Sequence, residues 1–341
     1  MARDLELDTP KNANVTLGAL RASAARFPLW IFAWGVVLLA ALPFALVWQQ
    51  AFIDLLGQSH APGAQLAFWT EDFRYDHAAE LKHLRVQSAT AFAVLALVAQ
   101  LAGVFFAGGW LQVFLERTSR HPLRRFLWGG ARTFWRFLRL WLVVLALVLF
   151  AGWLFYGDPW NEWFASRFGA AVAEDLTRED VAFWWGVLPA ALFAATFALV
   201  SVWATYARAR MALLNKRSVF LTGLASAWMI LRHPLRSLRP LAALLAIEFA
   251  VIGVLGFVSH DLNRDLGANS GWKVVLVLFA LSQLALLVRS MMFGARYAAA
   301  VSVCRALIRV TVEPDPFADR VGGPGGPQYP IDDSDEYGVS Y

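Results

Sequence analysis

The sequence is poor in cysteine and in charged residues, and both shortages limit what the protein can do. Cys304 is the single cysteine among 341 residues, so the chain cannot form an internal disulfide, a thiolate zinc cluster or an iron–sulfur site. Charged residues make up 16%, against about 25% in soluble domains. Hydrophobic residues make up 59%, and the mean hydropathy is +0.51. These values predict a membrane protein.

Sequence motifs of common catalytic sites are also missing. The chain has no Gly-x-Ser-x-Gly nucleophile elbow, no phosphate-binding glycine-rich loop and no His-Glu-x-x-His metal pair. We therefore expect neither an enzyme nor a bound cofactor. Asp76, Glu80 and His83 are metal-ligand types that would share one face of a helix. We interpret these three residues as a solvated helix in an outer connection, with the zinc site of an enzyme as the alternative.

Six long apolar runs dominate the sequence. A helix rises about 1.5 Å per residue, so roughly 17 to 25 apolar residues cross the hydrocarbon core of a bilayer. The runs of this length are 28–52, 89–115, 140–156, 182–206, 241–258 and 274–292. They predict an all-α polytopic bundle of six transmembrane helices within 28–310. The flanks are a short N-terminal segment, 1–27, and an acidic tail, 311–341, which is predicted to be disordered because glycine, proline and like charges cannot form a core.

Basic residues are distributed unevenly between the two sides of these runs. Most of the 30 Lys and Arg residues lie in the N-terminal segment, in 116–140, in 207–239 and from 289 onward. Basic flanks are retained on the cytoplasmic side of a membrane, so both termini and the two arginine-rich connections are predicted to be cytoplasmic. We expect a multi-pass protein of the bacterial cytoplasmic membrane. The same rule accounts for the net charge of +5, so no nucleic-acid partner is expected.

A loose threefold pattern runs through the chain. Short runs rich in small residues precede the odd-numbered spans at 18–21, 129–132 and 223–226. The even-numbered spans leave the membrane through runs that contain small residues and then basic ones, at 108–117, 206–217 and 294–305. Small residues allow helices to approach closely in lipid. The pattern predicts three hairpin repeats, each with a cytoplasmic amphipathic helix.

Four arginines mark one of these amphipathic helices. Arg125, Arg132, Arg136 and Arg139 are spaced i, i+7, i+11 and i+14, which places them on one side of a helix over 122–139. The other side carries Phe126, Leu127, Phe134, Phe137 and Leu138. This pattern predicts an interfacial helix whose arginines bind headgroups of the anionic inner leaflet while its apolar residues enter the acyl boundary. The alternative is that the arginines only set the topology.

The stretch 207–218 reads Ala-Arg-Ala-Arg-Met-Ala-Leu-Leu-Asn-Lys-Arg-Ser, and an apolar helix and Arg-His-Pro-Leu at 232–235 follow it. Together with the threefold hairpin layout, it resembles a group of bacterial six-span proteins similar to the membrane region attached to some glycerophosphoryl diester phosphodiesterases. The resemblance covers about residues 15 to 310 and implies the architecture. The catalytic domain of those phosphodiesterases has no counterpart in this chain, so the resemblance implies no catalytic residue.

Glu248 is the one acidic residue in the interior of a predicted span. A carboxylate at the centre of a membrane helix costs roughly 2.5 to 3.5 kcal/mol, so we expect it to pair with a polar group such as Gln100, Ser282 or Gln283. Two functions follow. The first is a non-catalytic assembly or lipid-organising component, acting alone, as a homo-oligomer or with a membrane-protein partner. The second is a transporter or channel in which Glu248 binds a cation or a proton.

Overall fold

The computed structural model describes residues 15–56, 78–116, 121–167, 179–216, 218–264 and 272–308. These ranges contain nine α-helices and no strand, which confirms the all-α prediction. The helices are α1 (Val15–Ala24), α2 (Phe27–Leu56), α3 (Ala78–Leu115), α4 (Pro122–Tyr156), α5 (Asp158–Arg167), α6 (Glu179–Leu213), α7 (Val219–Arg232), α8 (Pro234–Arg264) and α9 (Trp272–Leu307). All nine belong to one unit, Met1–Leu307. The tail 311–341 lies outside the described residues.

Within the described residues, six segments are long and apolar enough to cross a bilayer, as predicted. They are Phe27–Gln50, Ser88–Leu115, Pro122–Phe164, Phe183–Leu213, Pro234–Leu262 and Lys273–Leu307. Each overlaps one of the six apolar runs. The agreement arises because the thickness of the bilayer sets the length of a span, and that length can be read from one segment of the sequence alone. The described part of the chain is therefore a helical bundle with six candidate spans, as in a multi-pass membrane protein.

The third span is longer than its apolar run. α4 is a continuous helix of 35 residues, about 52 Å long, so the predicted interfacial helix and the third span are one element. Neither proline nor glycine interrupts residues 131–151, and nothing in the sequence therefore breaks the helix at the start of the apolar run. In contrast, α7 ends at Arg232 and α8 begins at Pro234, because a proline cannot continue the hydrogen-bond pattern of the helix before it.

The long helices form three repeats around a common centre. In each repeat an outer span packs on an inner span: α2 on α3, α4 on α6, and α8 on α9. The three inner spans, α3, α6 and α9, also pack on one another. Each inner span then contacts the first helix of the next repeat, α3 with α4 and α6 with α7, and α9 closes the ring on α1. The contacts support the predicted threefold hairpin layout and make it cyclic.

Glycines explain the closeness of the α3–α4 contact. A Cβ atom added to Gly129 would lie 2.3 Å from the Cβ of Gln112, and one added to Gly109 would lie 2.7 Å from the carbonyl oxygen of Phe126. Both distances are shorter than real Cβ contacts, so only glycine permits this backbone separation. In lipid, where apolar burial gives little driving force between helices, such close approach supplies the packing energy.

The other two junctions of the ring combine small residues with one hydrogen bond each. The Ser23 hydroxyl on α1 donates to the Met291 carbonyl on α9 at 2.7 Å, and a Cβ added to Gly294 would lie 2.6 Å from the Ser23 Oγ. At the α6–α7 junction, the indole Nε1 of Trp203 donates to the Gly223 carbonyl at 2.9 Å. The small-residue runs found in the sequence therefore mark the three inter-repeat contacts.

The best-packed part of the molecule lies where the inner spans end. Fully buried side chains there include Trp110 on α3, Tyr206 and Met211 on α6, and Cys304 on α9. We call this the basic end, because α1, α7 and the start of α4 bring their arginines to it. Towards the opposite end the spans expose large apolar side chains, as at Phe92, Phe183, Phe257 and Phe279. Exposed apolar side chains of this kind suit contact with acyl chains rather than with water.

Candidate functional site

The buried carboxylate of Glu248 pairs with an arginine. Glu248 on α8 is 8% exposed, and its Oε2 lies 3.6 Å from the Nη2 of Arg296 on the neighbouring α9. The pair is net neutral, which removes most of the cost of placing a carboxylate among apolar helices. A distance of 3.6 Å is an ion pair and too long for a hydrogen bond. Neither Glu248 Oε2 nor Arg296 Nε has a hydrogen-bond partner among the described residues.

The sequence suggested different partners for Glu248. Gln100 is exposed, the Ser282 hydroxyl donates to the Phe279 carbonyl at 2.7 Å, and the Gln283 Oε1 accepts from the Trp34 Nε1 at 3.0 Å. The apolar runs ended the sixth span at 292, so Arg296 was assigned to a basic flank. Because α9 continues to Leu307 and α8 begins at Pro234, both residues lie well inside their helices and face each other.

Three arginines at the basic end hold helices together. The Arg305 Nη2 on α9 donates to the Leu115 carbonyl at 3.1 Å and so caps the end of α3. The Arg208 Nη1 on α6 donates to the Tyr297 hydroxyl on α9 at 2.9 Å. Arg26 lies 4.8 Å from the centre of the Phe114 ring, and burial lowers its pKa from the usual arginine value. These three guanidinium groups therefore interact with other parts of the protein.

The predicted arginine stripe on α4 divides into two parts. Arg125 forms an ion pair with Glu116, which lies just after α3. The Arg136 Nη1 donates to the Oδ1 of Asn215, in the connection between α6 and α7, at 2.8 Å. Arg132 and Arg139 are exposed. Arg125 and Arg136 therefore contact neighbouring elements, while Arg132 and Arg139 remain exposed.

The prediction that the phenylalanines of this helix enter the acyl boundary is wrong for two of them. Phe126 and Phe137 are 0% and 1% exposed, and the Phe126 ring contacts the rings of Phe106 and Trp110 on α3. Phe126 lies one turn from Gly129, where α3 approaches α4 closely, and α3 therefore covers its ring. The exposed apolar residues of this part of α4 are instead Leu123, Leu127, Trp128 and Trp135.

A second amphipathic helix, α7, was not singled out as a site by sequence reasoning. Its large apolar side chains are between 65% and 79% exposed: Phe220, Leu221, Leu224, Trp228 and Leu231. Its other face buries Thr222, Ser226 and Met229. The spacing i, i+4, i+8 and i+11 in 220–231 was the available signal, but the run is too short for a span. α7 therefore presents an apolar face to the surroundings of the bundle.

An apolar groove lies where α4, α6 and α7 meet. Its volume is about 270 Å³, and its lining residues are Val143, Trp203, Val219, Phe220, Gly223, Leu224 and Ala227. Arg139 precedes Val143 by one helical turn, and Arg136 precedes it by two, so all three residues share a face of α4. On α6, Arg210 follows Trp203 by two turns, and its Nη1 donates to the Ala225 carbonyl on α7 at 3.1 Å. One end of the groove is therefore bordered by arginines.

The predicted metal candidates are only partly within the described structure. Asp76 lies outside the described residues, and Glu80 and His83 belong to α3, but their side chains are outside the description. In the part of the chain that the structure describes, no group of three or more His, Cys, Asp or Glu side chains is placed to hold a metal ion.

The fold thus defines an all-α membrane protein with six candidate spans, a buried ion pair and an arginine-bordered groove. Comparison with protein-family models, curated proteins and solved structures found no match. The resemblance to the membrane region of phosphodiesterases therefore stays a prediction.

Proposed function

We propose that this protein is a non-catalytic component of the bacterial cytoplasmic membrane that organises anionic lipid, with a role in assembly with a membrane-protein partner or a second copy. The observation that carries the proposal is the pairing of the exposed apolar face of α7 with the exposed arginines of α4 at one end of the bundle. Together the two helices would place apolar side chains in the acyl boundary and cations among headgroups, as an amphipathic helix does at a membrane surface.

The basic end also indicates how the protein is oriented in the membrane. We infer that the basic end faces the cytoplasm, because Lys and Arg near the ends of spans are retained on that side. The cytoplasmic leaflet carries the anionic lipids, and each basic residue near its surface contributes about 1 kcal/mol of attraction. The glycines between α3 and α4 bring these two helices into close contact at this end, which supports a fixed arrangement of its arginines.

Spin-labelled lipids provide the test of lipid selectivity. The protein is reconstituted into bilayers of phosphatidylcholine and phosphatidylglycerol, and electron paramagnetic resonance measures the fraction of each labelled lipid that is motionally restricted. We expect a larger restricted fraction for phosphatidylglycerol, by about twofold, with the difference falling as salt screens the arginines. Equal fractions for the two lipids at low salt would contradict the proposal.

Transport through Glu248 is the second candidate function. It is favoured by the buried Glu248 Oε2, which accepts no hydrogen bond from the described residues and, as a carboxylate oxygen, can bind a proton or a cation. In proteoliposomes with an imposed proton or cation gradient, this function requires flux that Glu248→Gln abolishes and that Asp158→Asn, at an exposed position, leaves intact. Wild-type flux no greater than that of empty liposomes would eliminate this candidate.

A further inference from the structure

We propose that the groove between α4, α6 and α7 binds one anionic phospholipid, with an acyl chain on Trp203 and Leu224 and the phosphate on Arg136 and Arg139. The inference rests on the proposed function and identifies the site at which lipid selectivity arises. It is carried by three features of the groove, namely its apolar lining, the position of its arginines at the basic end and the absence of a carboxylate on Arg136 and Arg139 within the described ranges.

The lining of the groove suits an acyl chain. Its side chains are apolar, and the single polar atom among them, the Nε1 of Trp203, already donates to the Gly223 carbonyl. A volume of about 270 Å³ lies just below the range of roughly 300 to 1,000 Å³ for small-molecule sites. The groove therefore accommodates part of an acyl chain, and it offers water no hydrogen-bond partner.

The arginines lie on the correct side of the groove for a phosphate. α4 begins at the basic end, so Arg139 is about 6 Å closer to that end than Val143, one turn along the same face. α6 runs in the opposite direction, so Arg210 is also on the basic-end side of Trp203. A phospholipid has the same order, with its phosphate at the membrane surface and its acyl chains deeper. The groove and its arginines thus match one lipid of the leaflet at the basic end.

The two α4 arginines are available to an anion. Arg136 donates to the neutral amide oxygen of Asn215, and Arg139 is exposed. Within the described ranges, neither Arg136 nor Arg139 forms an ion pair with a carboxylate. Guanidinium groups bind phosphate through charge-assisted, often bidentate hydrogen bonds, and this favours an anionic headgroup over a zwitterionic one.

Native mass spectrometry of the full-length protein in detergent tests the site. The added probes are phosphatidylglycerol and phosphatidylcholine with the same acyl chains, and inorganic phosphate alone. We expect one retained phosphatidylglycerol molecule, with about tenfold less retention of phosphatidylcholine and no retention of inorganic phosphate. The double variant Arg136→Gln/Arg139→Gln should lose about tenfold in phosphatidylglycerol retention, and Val143→Phe, which fills the groove, should lose as much.

Two matched variants control for charge and for bulk. Arg124→Gln removes an exposed charge from the same helix, about 22 Å from Arg139, and Leu142→Phe enlarges an exposed side chain next to Val143. Both should retain the lipid as the wild type does. Retention by Arg136→Gln/Arg139→Gln at the wild-type level would overturn the inference, as would equal retention of the two lipids. The inference would also be overturned if the wild type were a dimer without bound lipid and Val143→Phe dissociated that dimer. A second copy of the chain, rather than a lipid, would then occupy the groove.

The outcome for the site is distinguishable from that for the proposed function. If wild-type protein restricts phosphatidylglycerol in the spin-label experiment while the arginine variant keeps its bound lipid, the groove site fails and lipid organisation stands. If the wild type shows no selectivity among spin-labelled lipids, the proposed function itself fails.

Discussion

Replacing Gly129 by alanine is expected to destabilise the protein by about 3 kcal/mol. The new Cβ would lie 2.3 Å from the Cβ of Gln112, and it would lie 2.9 Å from the Gly108 carbonyl oxygen. Neither atom can rotate away, since one is attached directly to the backbone and the other belongs to it. α3 and α4 must therefore separate, and the dispersion contacts of the whole junction weaken together. The measurement is the free energy of unfolding in a denaturant titration of the reconstituted protein.

Gly152→Ala is the matched control, because Gly152 lies on the same helix. A Cβ there would have its nearest neighbour, the Phe193 ring, at 3.9 Å, which is ordinary van der Waals contact. Alanine is favoured over glycine in a helix by roughly 0.5 to 1 kcal/mol, so this variant should be as stable as the wild type or slightly more so. Equal destabilisation by the two substitutions would mean that the α3–α4 glycines do not set the helix separation.

Breaking the Glu248–Arg296 pair is expected to have the second-largest effect. Glu248→Gln leaves the Arg296 guanidinium without a counter-charge among apolar helices, and Arg296→Met does the same to the carboxylate. We expect each single variant to lose about 2 to 3 kcal/mol of unfolding free energy. The side chains of Arg296 and Glu248 are 24% and 11% exposed. Because of this residual exposure, the expected loss of unfolding free energy is smaller than that for a fully buried ion pair.

The double variant Glu248→Gln/Arg296→Met separates the ion pair from the individual side chains. Because no charge is left unpaired, it should recover most of the loss, and the double-mutant cycle should give a coupling free energy of about 1 to 2 kcal/mol. Additive losses would show that the two residues act independently.

The flux assay with Glu248→Gln requires equal amounts of folded protein in each preparation, because the variant is less stable.

Several elements of the site could be predicted from the sequence, and others could not. The arginine spacing on α4 correctly identified Arg136 and Arg139 as residues of one face, since helical periodicity is a local property. The same reasoning failed for Phe126, because an apolar side chain satisfies a lipid-facing and a protein-facing position equally well. The partner of Glu248 was missed for a related reason: the choice among Gln100, Gln283 and Arg296 depends on which helices are neighbours.

The sequence by itself determined the all-α class, the number of candidate spans and the positions of the small-residue runs. Each of these depends on run length or periodicity within one segment, and the membrane imposes the same length on every span. Only the tertiary structure decided that α9 closes on α1, that Glu248 meets Arg296, and that Val143, Trp203 and Leu224 enclose one groove. These features combine residues from helices far apart in the chain, and their proximity is set by packing between helices, which no single segment encodes.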